Sequence, residues 1–392
     1  MSPRRERALL WALLAGNFVI GTGVMMPAGM MNVLADAFAL TVPQAGTLIW
    51  AGAITMGIGA PLAAWAASPL DRRRLLVGAL ALYVVGHVVS ALCVRFDQLL
   101  VARVVTVIGA AVFTPQAAAA VSALLPPERR ASGVTFAFLG WSIASAAGMP
   151  IGSWLGAQFG WRFAYGMEAT LALAAAVALV RALPRGVFAP AVSLQTWRAV
   201  ARCRPVLLAL AVTVLSTAGQ FALSTYLAPE LRRKLDATPT QVALVFGLFG
   251  VCGVLGNVAV SRAVARIDTG HAVIGMIGLM VAGQLVWTVS GASFGLVAAG
   301  LALWGLGCFA TNSLQQARLI GLAPALAPAS VALNSSGLYA GQAAGALTGA
   351  AVIGAHHPDW LAPMGSLLLL AAIAVSTRVQ PARHDVPHPA SP

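Results

Sequence analysis

Twelve long apolar stretches occupy this 392-residue chain, and its arginines fall almost entirely in every second gap between them. That alternation constrains the fold more than any single motif. A hydrocarbon core of ~30 Å is crossed by ~20 mostly apolar residues in a helix. Backbone left irregular in lipid would keep its polar groups unpaired, so only helices and closed barrels span a bilayer. Barrel strands alternate apolar and polar residues. Here the runs are continuous and rich in Ala, Leu, Val and Gly. Charged residues make up 9% of the chain and hydrophobic ones 59%, too little polar surface for a soluble globule. The chain reads as an all-α membrane protein with twelve transmembrane helices in two six-helix pseudo-repeats.

The predicted spans lie near 8–33, 44–67, 75–95, 98–124, 132–157 and 162–182, then near 206–231, 240–261, 272–290, 294–321, 330–354 and 361–377. This divides the chain into an N-terminal bundle (1–182), a polar, basic connector (183–205), a C-terminal bundle (206–378) and a proline-rich tail (379–392) expected to be disordered. Glycine patterns recur at matching places in the two halves. Gly148, Gly152 and Gly156 stand four residues apart in span five, as do Gly341, Gly345 and Gly349 in span eleven. Glycine every fourth residue makes a flat helical stripe, and helices in lipid associate through such close approach. The stripes are read both as a packing face and as a sliding surface where the two halves meet.

The formal net charge of +13 would suit nucleic acid if it were gathered on one face. It is scattered instead at span ends. Eighteen basic residues fall in one set of gaps, and five (Arg95, Arg162, Arg232, Arg233 and Lys234) in the other, with Arg103 alone inside a span. By the positive-inside rule both termini are cytoplasmic, and nucleic acid is not a partner. The apolar run from Ala8 to Leu34 exceeds the ~7–15 residues of a signal h-region, so it is expected to stay as the first span. Cys93, Cys203, Cys252 and Cys308 lack paired spacing and read as small packing residues, not disulfides or metal ligands. No metal or cofactor is expected, and the chain is expected to act as a monomer.

Several stretches resemble the major facilitator superfamily, in its twelve-span drug:proton antiporter branch, over nearly the whole chain. Arg103-Val-Val-Thr-Val-Ile-Gly109 resembles the arginine-to-glycine signature of span four, with Thr106 and Val107 in place of the usual glutamine and glycine. Gly140 and Gly148-Met-Pro150-Ile-Gly152 resemble the antiporter signature of span five, and Gly160-Trp161-Arg162 is typical of the approach to span six. Gln316-Ala-Arg318-Leu and Ala332-Leu-Asn334-Ser-Ser-Gly337 resemble sugar- and drug-exporter members. The loop after span two departs from the family: Ser68 stands at the usual aspartate, and Asp71, ahead of Arg72 and Arg73, is the candidate replacement in a charge-locked gate. Span one carries no ionisable residue between Ala8 and Ala35, so the carboxylate many relatives carry there is missing.

The resemblance implies a substrate cavity between the halves, lined by spans one, four, seven and ten with two, five, eight and eleven beside them. Its candidate lining is Asn17, Met25, Gln116, Trp141, Gln220, Tyr226, Asn312, Gln315, Asn334, Tyr339 and Gln342. Uncharged amides, aromatics and methionines suit a neutral or lipophilic small molecule. The same residues serve equally as interhelical hydrogen-bond glue.

Ionisable groups inside spans are costly and mark function by default. Glu168 lies about 9 Å below Trp161–Arg162, and Arg103 about 7 Å below Gln98 on the same side, at ~1.5 Å per residue. The matching depth allows an Arg103–Glu168 pair, either a permanent ion pair that fixes helix packing or one able to trade a proton as its exposure alternates. Asp36, at the outer end of span one, is a further proton candidate or a solvated loop acid. His87 is expected to be bonded to backbone. The function expected is proton-coupled export of a drug, sugar or metabolite across a bacterial inner membrane, with a facilitator or importer of the same fold as the alternative. A Walker loop needs Gly-Lys-Ser/Thr, and the chain's sole lysine is Lys234, which excludes ATP drive by that motif. HExxH does not occur, and no enzyme is expected.

Overall fold

The computed structural model describes residues 3–66, 70–188, 194–263 and 267–379. Among them every regular element is helical. The N-terminal bundle holds α1 (Pro3–Gly29), α2 (Thr47–Ala66), α3 (Arg72–Leu92), α4 (Phe96–Leu124), α5 (Pro127–Phe159) and α6 (Trp161–Ala182). The short helix Leu194–Arg202 follows. The C-terminal bundle then holds α7 (Arg204–Ser224), α8 (Pro239–Ala263), α9 (Thr269–Val289), α10 (Phe294–Leu322), α11 (Ala327–Gly354) and α12 (Leu361–Ser376). Among the described residues, eleven helical stretches are long and apolar enough to cross a membrane. The 28-residue α11 joins them by length. It carries Asn334, Ser335, Ser336, Tyr339 and Gln342 and packs chiefly against α7 and α2 rather than standing at the edge of its bundle. Val85, Val101, Leu244, Leu255 and Val289 all point outward and exposed, as a surface meeting acyl chains requires.

The two bundles repeat details that composition alone does not reveal. Predicted spans one and seven each contain a break. α1 ends at Gly29 and the chain restarts as Met31–Phe38; α7 ends at Ser224 and restarts as Leu227–Leu235. Each short helix closes on a left-handed residue, Ala39 (φ 52°) and Asp236 (φ 49°). Each is followed by a reciprocal cap. Thr41 N donates to Gln44 Oε1 at 2.9 Å and Gln44 N to Thr41 Oγ1 at 3.4 Å; Thr238 and Gln241 do the same at 2.8 and 3.3 Å. The Thr-x-x-Gln capping box thus starts the second span of each bundle.

α5 is interrupted by a π turn, Ala144–Gly148, just before Pro150. Proline removes a helical donor and π turns absorb such defects. Gly160, at φ 90°, makes the corner into α6, a conformation that glycine adopts without strain.

The glycine stripes belong to packing inside each bundle. Gly148 and Gly152 lie against Thr22 and Met26 of α1, and Gly156 against Met30 in the break that follows it. Gly341, Gly345 and Gly349 lie against the Val214, Ala218 and Ala222 carbonyls of α7. The sliding-surface reading of these stripes is therefore corrected: equal spacing marks a flat face but does not say which neighbour it meets. Other glycines mediate the join between bundles. A Cβ on Gly250 of α8 would fall 2.5 Å from the Ser145 carbonyl in the π turn, one on Gly247 would fall 3.8 Å from Pro150, and Gly57 of α2 faces Ser336 and Tyr339 of α11.

The expected gate at Asp71, Arg72 and Arg73 is corrected too. Asp71 caps α3 by accepting from Arg73 N (2.8 Å) and Arg74 N (3.2 Å), and it also accepts from Gly186 N. Arg72 N donates to Val187 O at 2.8 Å, and Arg73 Nη2 to Val180 O at 2.6 Å. All three residues clamp the loop to the end of α6 in their own bundle. Ser68 and Pro69 lie outside the described residues, as does the tail beyond Val379. Burial works against ionisation of Asp71, but the Gly186, Arg74, Arg73 and Val187 amides outweigh it and hold the carboxyl below its ordinary range.

Two outcomes follow for stability in detergent. Gly345→Ala drives a methyl into the α7 backbone and should cost about 1–3 kcal/mol, read by thermal unfolding. Gly166→Ala, which meets nothing within 4 Å, should cost no such amount. Asp71→Asn should lower the unfolding temperature at neutral pH. Since the folded-state pKa is the lower one, the carboxylate's contribution is complete above about pH 4 and is lost as pH falls through the folded value. The gap between variant and wild type should close on acidification.

Candidate functional site

Pro27 lies inside α1 and has no N–H to give the Gly23 carbonyl one turn earlier. In lipid an unpaired carbonyl costs several kcal/mol. Arg103 of α4 answers it. Its Nη1 donates to Gly23 O and its Nη2 to Val24 O, both at 2.8 Å, while Nε reaches Leu48 O of α2 at 3.4 Å. The side chain is buried. The expected Arg103–Glu168 pair is therefore not formed: the guanidinium fork is occupied by backbone carbonyls of α1 and α2.

Glu168 of α6 is fully buried, and neither carboxylate oxygen has a hydrogen-bond partner among the described residues. The Gly23 amide bears on it without a well-formed bond. His87 of α3 is equally enclosed, and both ring nitrogens lack partners. The expected backbone bond to His87 is thus absent. Its ring meets Tyr83 edge-on at 4.4 Å and lies 5.6 Å from Tyr165 of α6, whose hydroxyl is also unpartnered. Tyr83 donates to Ile20 O at 3.0 Å. A Cβ on Gly23 would strike the Tyr83 hydroxyl and fall 2.7 Å from His87 Nε2. Gly23 is thus where α1, α3, α4 and α6 bring their polar groups together.

Asp36 is neither buried nor isolated. It is exposed on Met31–Phe38 and pairs with Arg232 of Leu227–Leu235 at 2.8 Å, across the two bundles. Asn32 Nδ2 donates to Ala228 O at 3.0 Å between the same segments. Both contacts lie at the end of the molecule away from the termini.

The cavity candidates divide by environment. Asn17 is fully buried, donating to Ala137 O of α5 at 3.1 Å and accepting from Thr114 of α4 at 3.0 Å; Trp141 Nε1 donates to the same threonine at 3.2 Å. The C-terminal bundle ties its equivalent helices the same way. Thr213 of α7 donates to Asn334 Oδ1 of α11 at 2.6 Å, Asn334 donates to Asn312 of α10 at 3.1 Å, and Gln315 Nε2 donates to Ala209 O at 2.7 Å. Tyr226 is buried and donates to Ala346 O at 2.7 Å. These groups act as interhelical glue. Gln116 is buried with Oε1 unpartnered. Met25, Gln220, Tyr339 and Gln342 are half-buried. Met25 packs against the C-terminal core and Tyr339 against the N-terminal one, so each crosses the join. Thr114 and Thr213, which anchor the two networks, carried no signal in the sequence that set them apart from other hydroxyls within spans. A groove of about 440 Å³ lined by Leu70, Gly78, Ile108 and Phe188 opens at α3 and α4, away from the join; its apolar walls suit lipid.

Two six-helix bundles, broken and capped alike and joined face to face, define the fold of a membrane transporter. The family model described as Major Facilitator Superfamily matches residues 13–228. The chain is 31% identical over 376 residues to the inner membrane transport protein YdhP of Escherichia coli (strain K12), covering 95% of this chain and 96% of that one. It is 29% identical to a chloramphenicol resistance protein of Streptomyces lividans, covering 93% and 94%. Among solved structures, a D-xylose-proton symporter superposes with a TM-score of 0.75 over 95% of this chain and 98% of its own, at 16% identity. This chain belongs to the major facilitator superfamily and is a multi-pass membrane protein; the family's members are transporters rather than enzymes.

If Arg103 serves the carbonyl that Pro27 strands, the two residues must be coupled. Arg103→Met should destabilise the wild-type protein more than it destabilises Pro27→Ala, whose new N–H can pair with Gly23 O. A double-mutant cycle by thermal unfolding should give a coupling of about 0.5–3 kcal/mol; additive effects would refute the link.

Proposed function

We propose that the chain exports a small neutral or lipophilic molecule by alternating access, driven by inward proton flow. Residues 1–182 and 206–378 are the two rocking units, and 183–205 links them. The observation that carries this reading is the join itself. It is built from glycine-to-backbone contacts at α5–α8 and α2–α11 and from an exposed ion pair, Asp36–Arg232, at one end. The exposed ion pair itself contributes little; parting at this end also releases the Asn32–Ala228 hydrogen bond and uncovers Met31, Ala35, Ala45 and Ile49, apolar contacts that can be remade without directional constraint. Half-buried Met25, Gln220, Tyr339 and Gln342 offer a substrate adaptable, uncharged contacts. Eighteen basic residues against five support cytoplasmic termini in this reading. The inner-membrane name of the YdhP relative and the name of the chloramphenicol resistance relative support an exporter in that membrane.

One charge crossing 100 mV supplies ~2.3 kcal/mol, enough for a gradient of about fifty-fold. Glu168 is the acid this reading assigns to the proton.

Expression in a susceptible host should raise tolerance to chloramphenicol or to another member of a panel of sugars, nucleosides and dyes. Everted vesicles should accumulate that compound only while a pH gradient is maintained. Glu168→Gln should lose gradient-driven accumulation and keep counterflow. Equal accumulation with and without the gradient would make the protein a facilitator. Bridging Asp36→Cys to Arg232→Cys with a cleavable thiol reagent should arrest transport, and cleavage should restore it. Transport continuing through a complete bridge would rule out parting at this end.

A further inference from the structure

The two bundles place different chemistry at one equivalent position. His87 and Gln284 are each the sixteenth residue of a 21-residue helix, α3 and α9. Each is buried against a glycine of its bundle's first helix, Gly23 of α1 and Gly219 of α7. In the C-terminal bundle the position is neutral and satisfied. Gln284 Nε2 donates to Gly219 O at 2.9 Å, and Ser366 of α12 donates to Gln284 Oε1 at 3.1 Å. In the N-terminal bundle the corresponding helices supply His87 and Glu168, and none of their four polar side-chain atoms is partnered among the described residues. The fold therefore does not require an ionisable pair here. Gln284, at the position matching His87, closes its bundle with Ser366, two positions earlier on α12 than Glu168 on α6, and leaves no orphaned atom.

Unsatisfied buried polar atoms are expensive, and their concentration in one bundle points to a ligand. The groups facing the spot from each packed helix are Tyr83 and His87 of α3, Arg103 of α4, and Tyr165 and Glu168 of α6; α1 presents only the Gly23 peptide. Cys93, at the end of α3, and Tyr339 of α11 lie further out. Arg103 is fixed on α1 carbonyls, so its charge stays in place while the others change. We infer that Glu168 and His87, which make no direct hydrogen bond with each other, together form one buried proton-binding site, gaining and losing a single proton as a pair beside the unpartnered hydroxyl of Tyr165. Binding forms one O–H or N–H bond, and release to water breaks it; nothing else changes covalently. The inference rests on the proton-driven reading above and names the second half of its site.

Infrared difference spectroscopy of the full chain in lipid nanodiscs tests this without a substrate. A pH titration of wild type should show a protonated-carboxyl band that appears and disappears, and Glu168→Gln should remove it. His87→Gln, which copies the C-terminal solution, should move the band's midpoint by about one pH unit or more, as coupled groups do. Asp36→Asn should leave it unchanged. If His87→Gln does not fold, wild type with ring-labelled histidine serves: one imidazole should titrate with the carboxyl midpoint. A carboxyl band that never titrates, or one indifferent to His87 and matched by no imidazole, would overturn the pair. Gradient-driven transport in vesicles separates the two ideas. Coupled transport alongside an indifferent band would leave the proton-driven reading standing and place its site elsewhere.

Discussion

Pro27 sets the terms for the N-terminal bundle. A helix in water can lose one N–H and let solvent take the stranded carbonyl. In lipid the carbonyl must find a donor in the protein. Arg103 supplies two, to Gly23 and Val24, and that arrangement brings a permanent cation into the bundle centre. With its fork occupied by backbone, Arg103 does not neutralise Glu168 directly. The polar cluster at Gly23 thus traces back to one missing hydrogen atom.

The C-terminal bundle shows what the same scaffold does without that demand. α7 breaks after Ser224, a turn beyond the level of Gly219, and its centre is closed by Gln284 and Ser366. The amide networks at Asn17–Thr114 and Thr213–Asn334 match across the repeat. The shared parts hold helices together, while the unshared part carries charge. Duplication followed by divergence at buried positions separates scaffold from function more clearly than burial alone does.

The sequence revealed the helices because bilayer thickness is written directly in the length of apolar runs. All twelve expected spans correspond to helices, and α11 is set apart by the polar run Asn334, Ser335, Ser336, Tyr339 and Gln342. The breaks after Gly29 and Ser224 were hidden inside continuous apolar runs, and the capping boxes at Thr41–Gln44 and Thr238–Gln241 mark only the starts of the spans that follow. Depth was legible for Arg103 and Glu168 and azimuth was not. Rise per residue fixes height, but each residue also turns ~100°, and only packing decides which neighbour that direction meets. The glycine stripes failed as an interface for the same reason: their spacing was visible and their partner helix was not.

That distinction bears on how such a molecule can move. The stripes of α5 and α11 seat methionine side chains and α7 carbonyls, contacts that interlock and resist sliding, so each bundle is expected to travel as a unit. The join relies instead on a few glycines at a π turn and, at the far rim, on an ion pair, the Asn32–Ala228 hydrogen bond and the packing of Met31, Ala35, Ala45 and Ile49 against the C-terminal core. Gly250 rests against the Ser145 carbonyl where α5 is least regular, next to Pro150. A bent, under-bonded segment is the softest place for two rigid bodies to pivot. Stiffness within the bundles and softness between them follow from where the glycines and prolines fall, and alternating access needs both.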